Sequence, residues 1–347
     1  MPGPDVVRDQ ARPATLRGMR RRRTQLLLVA TALVAAGVWL AVGEGGGGHR
    51  RSLTFGISGE DPRMFADPRF AALGLRDARV QASWDLAVHT GPAYPGLAAE
   101  RVRLAQWLVA ARAAGIRRVL LAVKPSRDLP AAQPEAAYAS ALAGLLAWID
   151  ARGGGDLVTA ISPWNEPDIA PSTRADPVAA GRMYAAVRAL CALRGCRAVA
   201  GDFADRGMTP AYLAGYLRGA GSPAPRLWGW HAYEDGWDRA RDPTLPRLRA
   251  FLAWLPGTDE VWLTEQGGIV RRVQPGDDGR STQSPAAANA DLAFLLARAP
   301  RLDPRITRFD VYQFRGEPPP RWDSGLIAPD GSTRAAYATF RRAVAGG

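Results

Sequence analysis

Two glutamates close runs that otherwise read as apolar strands, and a carboxylate in that position needs a reason. Glu166 sits in Pro163-Trp164-Asn165-Glu166-Pro167-Asp168, and Glu265 in Val261-Trp262-Leu263-Thr264-Glu265-Gln266-Gly267-Gly268. Cleavage of a glycosidic bond with retained configuration needs two carboxyl groups about 5–5.5 Å apart, one protonated and one ionised. One gives its proton to the departing oxygen while the other attacks the anomeric carbon, and water then releases the sugar with the first residue acting as base. Glu166 and Glu265 are the candidates for that pair. Tryptophans supply flat apolar faces on which pyranose rings stack. Trp84, Trp164, Trp230, Trp237 and Trp322 are the candidates. Trp164, beside Asn165, and Trp237, in a polar loop, are the expected platforms, with Trp84 as a further substrate contact.

These residues need a scaffold that gathers strand ends. The runs Leu53–Ser58, Ala78–Trp84, Arg117–Lys124, Leu157–Trp164, Cys196–Asp202, Arg226–Tyr233, Glu260–Gln266 and Ile306–Phe314 read as strands, each followed by a helical stretch. Leu97, Leu104, Leu108 and Ala111 share one helical face, as do Leu292, Leu295, Leu296 and Ala299. The helix near Met64–Gly74 is the least regular. Eight such units without an internal boundary predict an α/β fold, a (β/α)8 TIM barrel over residues 53–347. A doubly wound sheet is the alternative, but the first strand lacks a G-x-G-x-x-G turn. In a barrel the chemistry lies where strands end, which singles out Ser58, Trp84–Asp85, Lys124, Asn165–Glu166, Asp202, His231–Tyr233, Glu265 and Gln313. Strands four and seven face each other across the barrel, so Glu166 and Glu265 can converge above its axis. Lys124 and Asp202 read equally well as sugar ligands or as paired structural charges.

The motifs resemble those of the retaining (β/α)8 glycoside hydrolases of clan A, closest to family 39-like and family 5-like members, over about residues 53–345. Asn165-Glu166-Pro167 is similar to the strand-four motif, which implies that Glu166 is the acid/base, with a raised pKa, and that Asn165 bonds the sugar 2-hydroxyl. Thr264-Glu265-Gln266-Gly267 resembles the nucleophile motif. His231-Ala232-Tyr233 resembles the strand-six pair, implying that the Tyr233 hydroxyl orients the nucleophile. Arg79 fits the strand-two arginine that supports the nucleophile's charge. Trp322-Asp323-Ser324-Gly325-Leu326 and the stretch from Asp330-Gly331 to Tyr337 look like the usual end of such barrels. One departure is Tyr312-Gln313-Phe314, where many members carry a tryptophan under the cleaved sugar; Gln313 is taken as the substituting contact.

The amino-terminal part reads separately. Residues 1–23 form a basic tail, 24–43 an uncharged apolar run long enough to cross a bilayer, and 44–52 a Gly-rich tether. Arg20–Arg23 before the run predict a single-pass anchor with the body outside the cytoplasmic membrane. Signal cleavage near Gly43 followed by secretion is the alternative. Residues 1–51 hold nine arginines against Asp5, Asp9 and Glu44, half of the net charge of +12, so the body is only mildly basic and nucleic-acid binding is not expected. Cys191 and Cys196, the only cysteines, are a disulfide candidate in an oxidising compartment or two unlinked small residues. Three scattered histidines without H-E-x-x-H argue against a metal centre, no P-loop precedes Lys124, and no G-x-S-x-G elbow is present. No cofactor is expected, and the partner is a carbohydrate substrate at the cell surface. The competing readings are a catalytically silent carbohydrate-binding barrel and a transglycosylase.

Overall fold

The computed structural model describes residues 53–129, 136–273 and 282–346. The expected tail, anchor and tether, like residues 130–135 and 274–281, lie outside the described residues. Among the described residues no helix is long and apolar enough to cross a membrane.

Nine parallel strands are laid out as β5-β4-β3-β2-β1-β9-β8-β7-β6. They are β1 Thr54–Ser58, β2 Asp77–Ser83, β3 Arg118–Lys124, β4 Val158–Ser162, β5 Arg197–Ala198, β6 Ala200–Ala204, β7 Leu227–His231, β8 Glu260–Gln266 and β9 Ile306–Tyr312. The two ends of this order, β5 and β6, are separated in the chain by Val199 alone, whose N–H donates to Ile161 O at 2.9 Å. They are thus halves of one broken strand, β5 pairing with β4 and β6 with β7, which brings the sheet round to a nearly closed barrel. Eight strands were expected and the fifth is the one that breaks. Helices follow the strands, the longest being α2 Pro95–Ala113, α3 Tyr138–Asp150, α4 Pro177–Arg194, α5 Pro210–Ala220 and α8 Pro285–Leu302, with α9 Ala335–Ala345 at the end. Shorter ones are α1 Pro68–Ala71, α6 Tyr233–Trp237 and α7 Pro246–Trp254. The irregular first helix is a 3-10 turn, Pro62–Ala66, followed by α1.

Local sequence explains much of this. Asp176-Pro177, Thr209-Pro210 and Ser284-Pro285 each place an oxygen-bearing cap before a proline at the first helical position. Their side chains accept from the N–H groups of Ala179, Tyr212 and Ala287 at 2.9, 3.1 and 3.1 Å. β2 reads Asp-Ala-Arg-Val-Gln-Ala-Ser, strictly alternating. Ala78, Val80 and Ala82 join the core between barrel and helices, which leaves the opposite face of the strand to Arg79 and Gln81. A separate small cluster of Leu120, Ala160, Val199, Leu227 and Trp262 packs apart from that core. α4 and α5 cross at two glycines so closely that a methyl on Gly181 would lie 2.0 Å from Tyr216 O, and one on Gly219 2.0 Å from Val178 O. Cys191 and Cys196 are bonded, with 4.6 Å between their Cα atoms, tying the end of α4 to the start of β5.

Candidate active site

The carboxyl ends of β1, β2, β4, β6, β7 and β8 deliver one connected polar network. Arg79 on β2 is fully buried at its centre. Its Nη1 donates to Glu265 Oε2 at 2.7 Å and Ser58 Oγ at 2.9 Å, and its Nη2 to Asn165 Oδ1 at 2.6 Å and Asp202 Oδ2 at 2.9 Å. Burial opposes a charge there, yet the Asp202 and Glu265 carboxylates outweigh it and hold the guanidinium above its usual range. Asn165 therefore spends its carbonyl oxygen on Arg79 and Gln81, leaving its NH2 group without a partner among the described residues.

Glu265 reaches the mouth of the barrel through an irregularity. On a period of two, Trp262 and Thr264 share one face of β8, and Glu265 would follow Val261 and Leu263 into the shell beneath the helices. Pairing with β7 shifts register between Trp230 and His231, and pairing with β9 between Leu263 and Gln266. Such bulges re-aim a side chain. Glu265 Oε1 then accepts from the Tyr233 hydroxyl at 3.2 Å, and Oε2 from Gln81 Nε2 at 3.3 Å. Burial, with the Glu265 charge adding, pushes the Tyr233 phenol well up, so it remains a donor. Gln266 locks the neighbouring turn, accepting from Ala232 N at 2.7 Å and donating to Trp230 O at 2.8 Å.

β4 ends at Ser162, two residues earlier than expected, so Trp164 to Pro167 lie on the following loop. Glu166 has a left-handed backbone, φ 50°, as does Asp202 with φ 68°; among the described residues only Leu245 is a third non-glycine of this kind. The two strained residues are bonded to each other, Glu166 N donating to Asp202 O at 2.9 Å. Strain of this kind persists where surrounding contacts over-determine it, which is common at functional sites. Glu166 Oε1 lies 3.1 Å from His231 Nδ1.

The expected raised pKa of Glu166 is not what this geometry produces. Burial pushes the carboxyl up, but the His231 bond and charge, with Arg206 and Arg79, bring it below the ordinary range. The His231 ring is shifted in the opposite direction. Burial disfavours the imidazolium, but Glu265, Asp202 and Glu166 together raise the ring to about 10. Asp168, two residues on, is lifted to about 7 by burial, with the Glu166 charge adding and the Ala204 N–H opposing.

Not every expected contact is open to a ligand. Trp164 is fully buried and packs near Tyr138, with ring centroids 6.3 Å apart, so it is a core residue and not a platform. Trp84 is 6 % exposed. His231 and Arg79 are fully buried and bonded to Glu166 and Glu265 respectively. Trp237 is half-buried beneath the Arg272 guanidinium, 4.8 Å from its centroid. Trp322, half-buried and set edge-on to Tyr233 at 5.3 Å, is the better-placed aromatic. Lys124 is paired with Glu100 at 3.1 Å and Asp202 with Arg79 at 2.9 Å, which settles both as paired charges. Gln81 was missed, although the alternation of β2 puts it on the same face as Arg79. So was Glu60, which follows β1 and has no strand pattern to mark it. Glu60 and Gln313 line a cavity of about 690 Å³, and each has a buried carbonyl or carboxyl oxygen without a partner. Burial, with the Glu265 charge adding and Arg103 opposing, raises the Glu60 carboxyl. Among the described residues no group of His, Cys, Asp and Glu is arranged to hold a metal ion.

The likenesses found among solved structures concern the barrel fold. No family model and no curated protein matches the sequence. Among solved structures the chain is similar to a family 39 glycoside hydrolase from the gut symbiont Bacteroides cellulosilyticus WH2, at 18 % identity and TM-score 0.58 over 85 % of this chain. The match spans 64 % of that protein's length. The endoglucanase Cel5A of Pseudomonas stutzeri matches at 19 % identity and TM-score 0.52, over 85 % of this chain and 94 % of its own. A β-glucuronidase from an uncultured Clostridium matches at 12 % identity and TM-score 0.54, over 85 % of this chain and 51 % of its own. Family 39 and family 5 glycoside hydrolases are thus the structural neighbours, as the motifs imply.

Proposed function

We propose that the chain is a glycoside hydrolase working by double displacement, with Glu265 as nucleophile and Glu166 as acid/base. The observation that carries this is the opposite surroundings of the two carboxyl groups at one barrel mouth. Glu265 is held by Arg79 at 2.7 Å and by Tyr233 at 3.2 Å, while Glu166 shares a hydrogen with His231 at 3.1 Å. Divergent environments for two titratable groups are what separates acid from nucleophile. The NH2 group of Asn165, its carbonyl oxygen being taken by Arg79 and Gln81, is suited to the sugar hydroxyl next to the reacting carbon. The substrate is a cell-surface or extracellular oligo- or polysaccharide.

Mechanism-based 2-fluoro-glycosides test the reading. Mass analysis after exposure to gluco, manno, galacto, xylo and arabino probes is expected to find one sugar esterified to Glu265. Labelling at another residue would reject the assignment, and no labelling of a folded chain by any probe would favour a silent binding barrel. The proposed location rests on residues 24–43: the whole chain should sediment with membranes and resist extraction by high salt, and recovery in the soluble fraction would remove the anchor.

A further inference from the structure

Asp202 has no chemical duty in the scheme above, yet most of its contacts lead to a residue that has one. Its carboxylate is fully buried. Oδ2 accepts from Arg79 Nη2 at 2.9 Å and Ser162 Oγ at 2.7 Å. Oδ1 accepts from the Thr264 hydroxyl and lies 3.8 Å from His231 Nε2, an ion-pair distance. Gly229 on β7 leaves the room, since a methyl there would stand 2.5 Å from Asp202 Oδ1. The Asp202 carbonyl meanwhile holds the backbone N–H of Glu166. From one side chain a path runs through Arg79 to Glu265, and another through His231 to Glu166.

Resting on the assignment of Glu166 and Glu265 above, we propose that Asp202 is the positioning residue that sets both carboxylates at once, pinning Arg79 against Glu265 and keeping on His231 the proton that Glu166 delivers. The groups facing His231 are Glu166 and Asp168 from the loop after β4, Asp202 from β6 and Glu265 from β8, a predominantly negative cage. In the first step the Nδ1 proton passes to Glu166, and from Glu166 to the glycosidic oxygen as its bond to the anomeric carbon breaks and the ester to Glu265 forms. The imidazole is left neutral. In the second step water opens the ester, its hydroxyl going to the sugar, and its proton returns through Glu166 to His231 as the Glu265 carboxylate is released. Esterification removes the Glu265 charge, which weakens the hold on that proton while Glu166 is needed as a base.

The test is the pH dependence of kcat/KM for wild type and Asp202→Asn. Removing the negative charge beside Nε2 is expected to move the alkaline limb down by about 1–3 pH units, the effect of one close charge. If Asp202 merely braced the fold, the rate would drop at every pH with the limb in place, and that result overturns the proposal. A second measurement leaves Asp202 in place. In the wild-type chain with ¹⁵N-labelled histidine, His231, told apart from His49 and His89 by substitution of those two, should have both ring nitrogens protonated at about pH 8, well above the ordinary histidine range. A neutral ring there rejects the proposal. Wild type that traps no 2-fluoro sugar on Glu265 would undercut the underlying assignment first, whereas trapping with an unshifted limb removes only the role of Asp202.

Discussion

At the scale of single residues, the two glutamates differ in what holds them, and the difference predicts different failures. Glu265 is fixed from both sides by a buried guanidinium and a phenol, and in the proposed role of nucleophile no neighbour could replace its bond to the anomeric carbon. Glu265→Gln is expected to abolish turnover of every substrate. In its proposed role Glu166 only moves a proton, worth roughly 10²–10⁴-fold. Glu166→Ala should lose that much on substrates with poor leaving groups, keep most of its first-step rate on activated aryl glycosides, and recover turnover with azide. Equal loss in both variants on activated substrates would break the assignment of roles. Of the network, Glu166, Glu265, Asn165, Arg79, His231 and Tyr233 were legible from motif and strand position. The opposite shifts of Glu166 and His231 were not, because they depend on carboxylates that meet only in the folded barrel.

At the scale of elements, alternation made β2 readable, with its polar face toward Glu265 and its apolar face toward the helices. What a period of two could not give was the pair of register shifts that turn Glu265 to the mouth, or the early end of β4 that sends the Trp164 ring into the core. Those depend on strand pairing, which no window of sequence contains. The crossing of α4 and α5 offers a test of packing far from the chemistry. Gly181→Ala would drive a methyl into Tyr216 O, and overpacking of this kind costs about 1–3 kcal/mol. Its unfolding free energy should fall by that amount, with a lower denaturation midpoint, while kcat/KM at a permissive temperature stays at the wild-type value. An unchanged midpoint would mean that the two helices separate freely.

For the whole molecule, the buried charges predict how stability follows pH. Asp168 at about 7 and Asp310 at about 6, both raised from 3.8 by burial, bind protons more tightly in the folded chain, as does His231 at about 10 against 6.5. Their stabilisation is complete below the unfolded values and is lost as pH rises through the folded ones. Glu260 works in the opposite sense: burial opposes ionisation, but Arg197, Thr307 and Trp262 outweigh it and bring the group to about 2 from 4.5, so its contribution is lost as pH falls through that window. Stability should therefore be greatest between about pH 4 and 5 and decline towards pH 10. Urea midpoints measured at several pH values check this, and a midpoint that climbs from pH 5 to pH 9 would contradict it. The barrel itself was legible from eight strand runs with helical stretches between them, and the break at Val199 in the fifth was not.

The backbone bond between Glu166 and Asp202 bears on any attempt to move this chemistry elsewhere. A template that copies only the side chains of Glu166, Glu265, Arg79 and Tyr233 onto another barrel would omit the two left-handed residues that hold one another in place. The smallest portable unit is a pair of loop ends, one after β4 and one at β6, together with the glycine on β7 that leaves space between them. Searches of sequence space for relatives of this site would gain more from an aspartate in the fifth strand and a glycine in the sixth than from a longer Asn-Glu-Pro pattern.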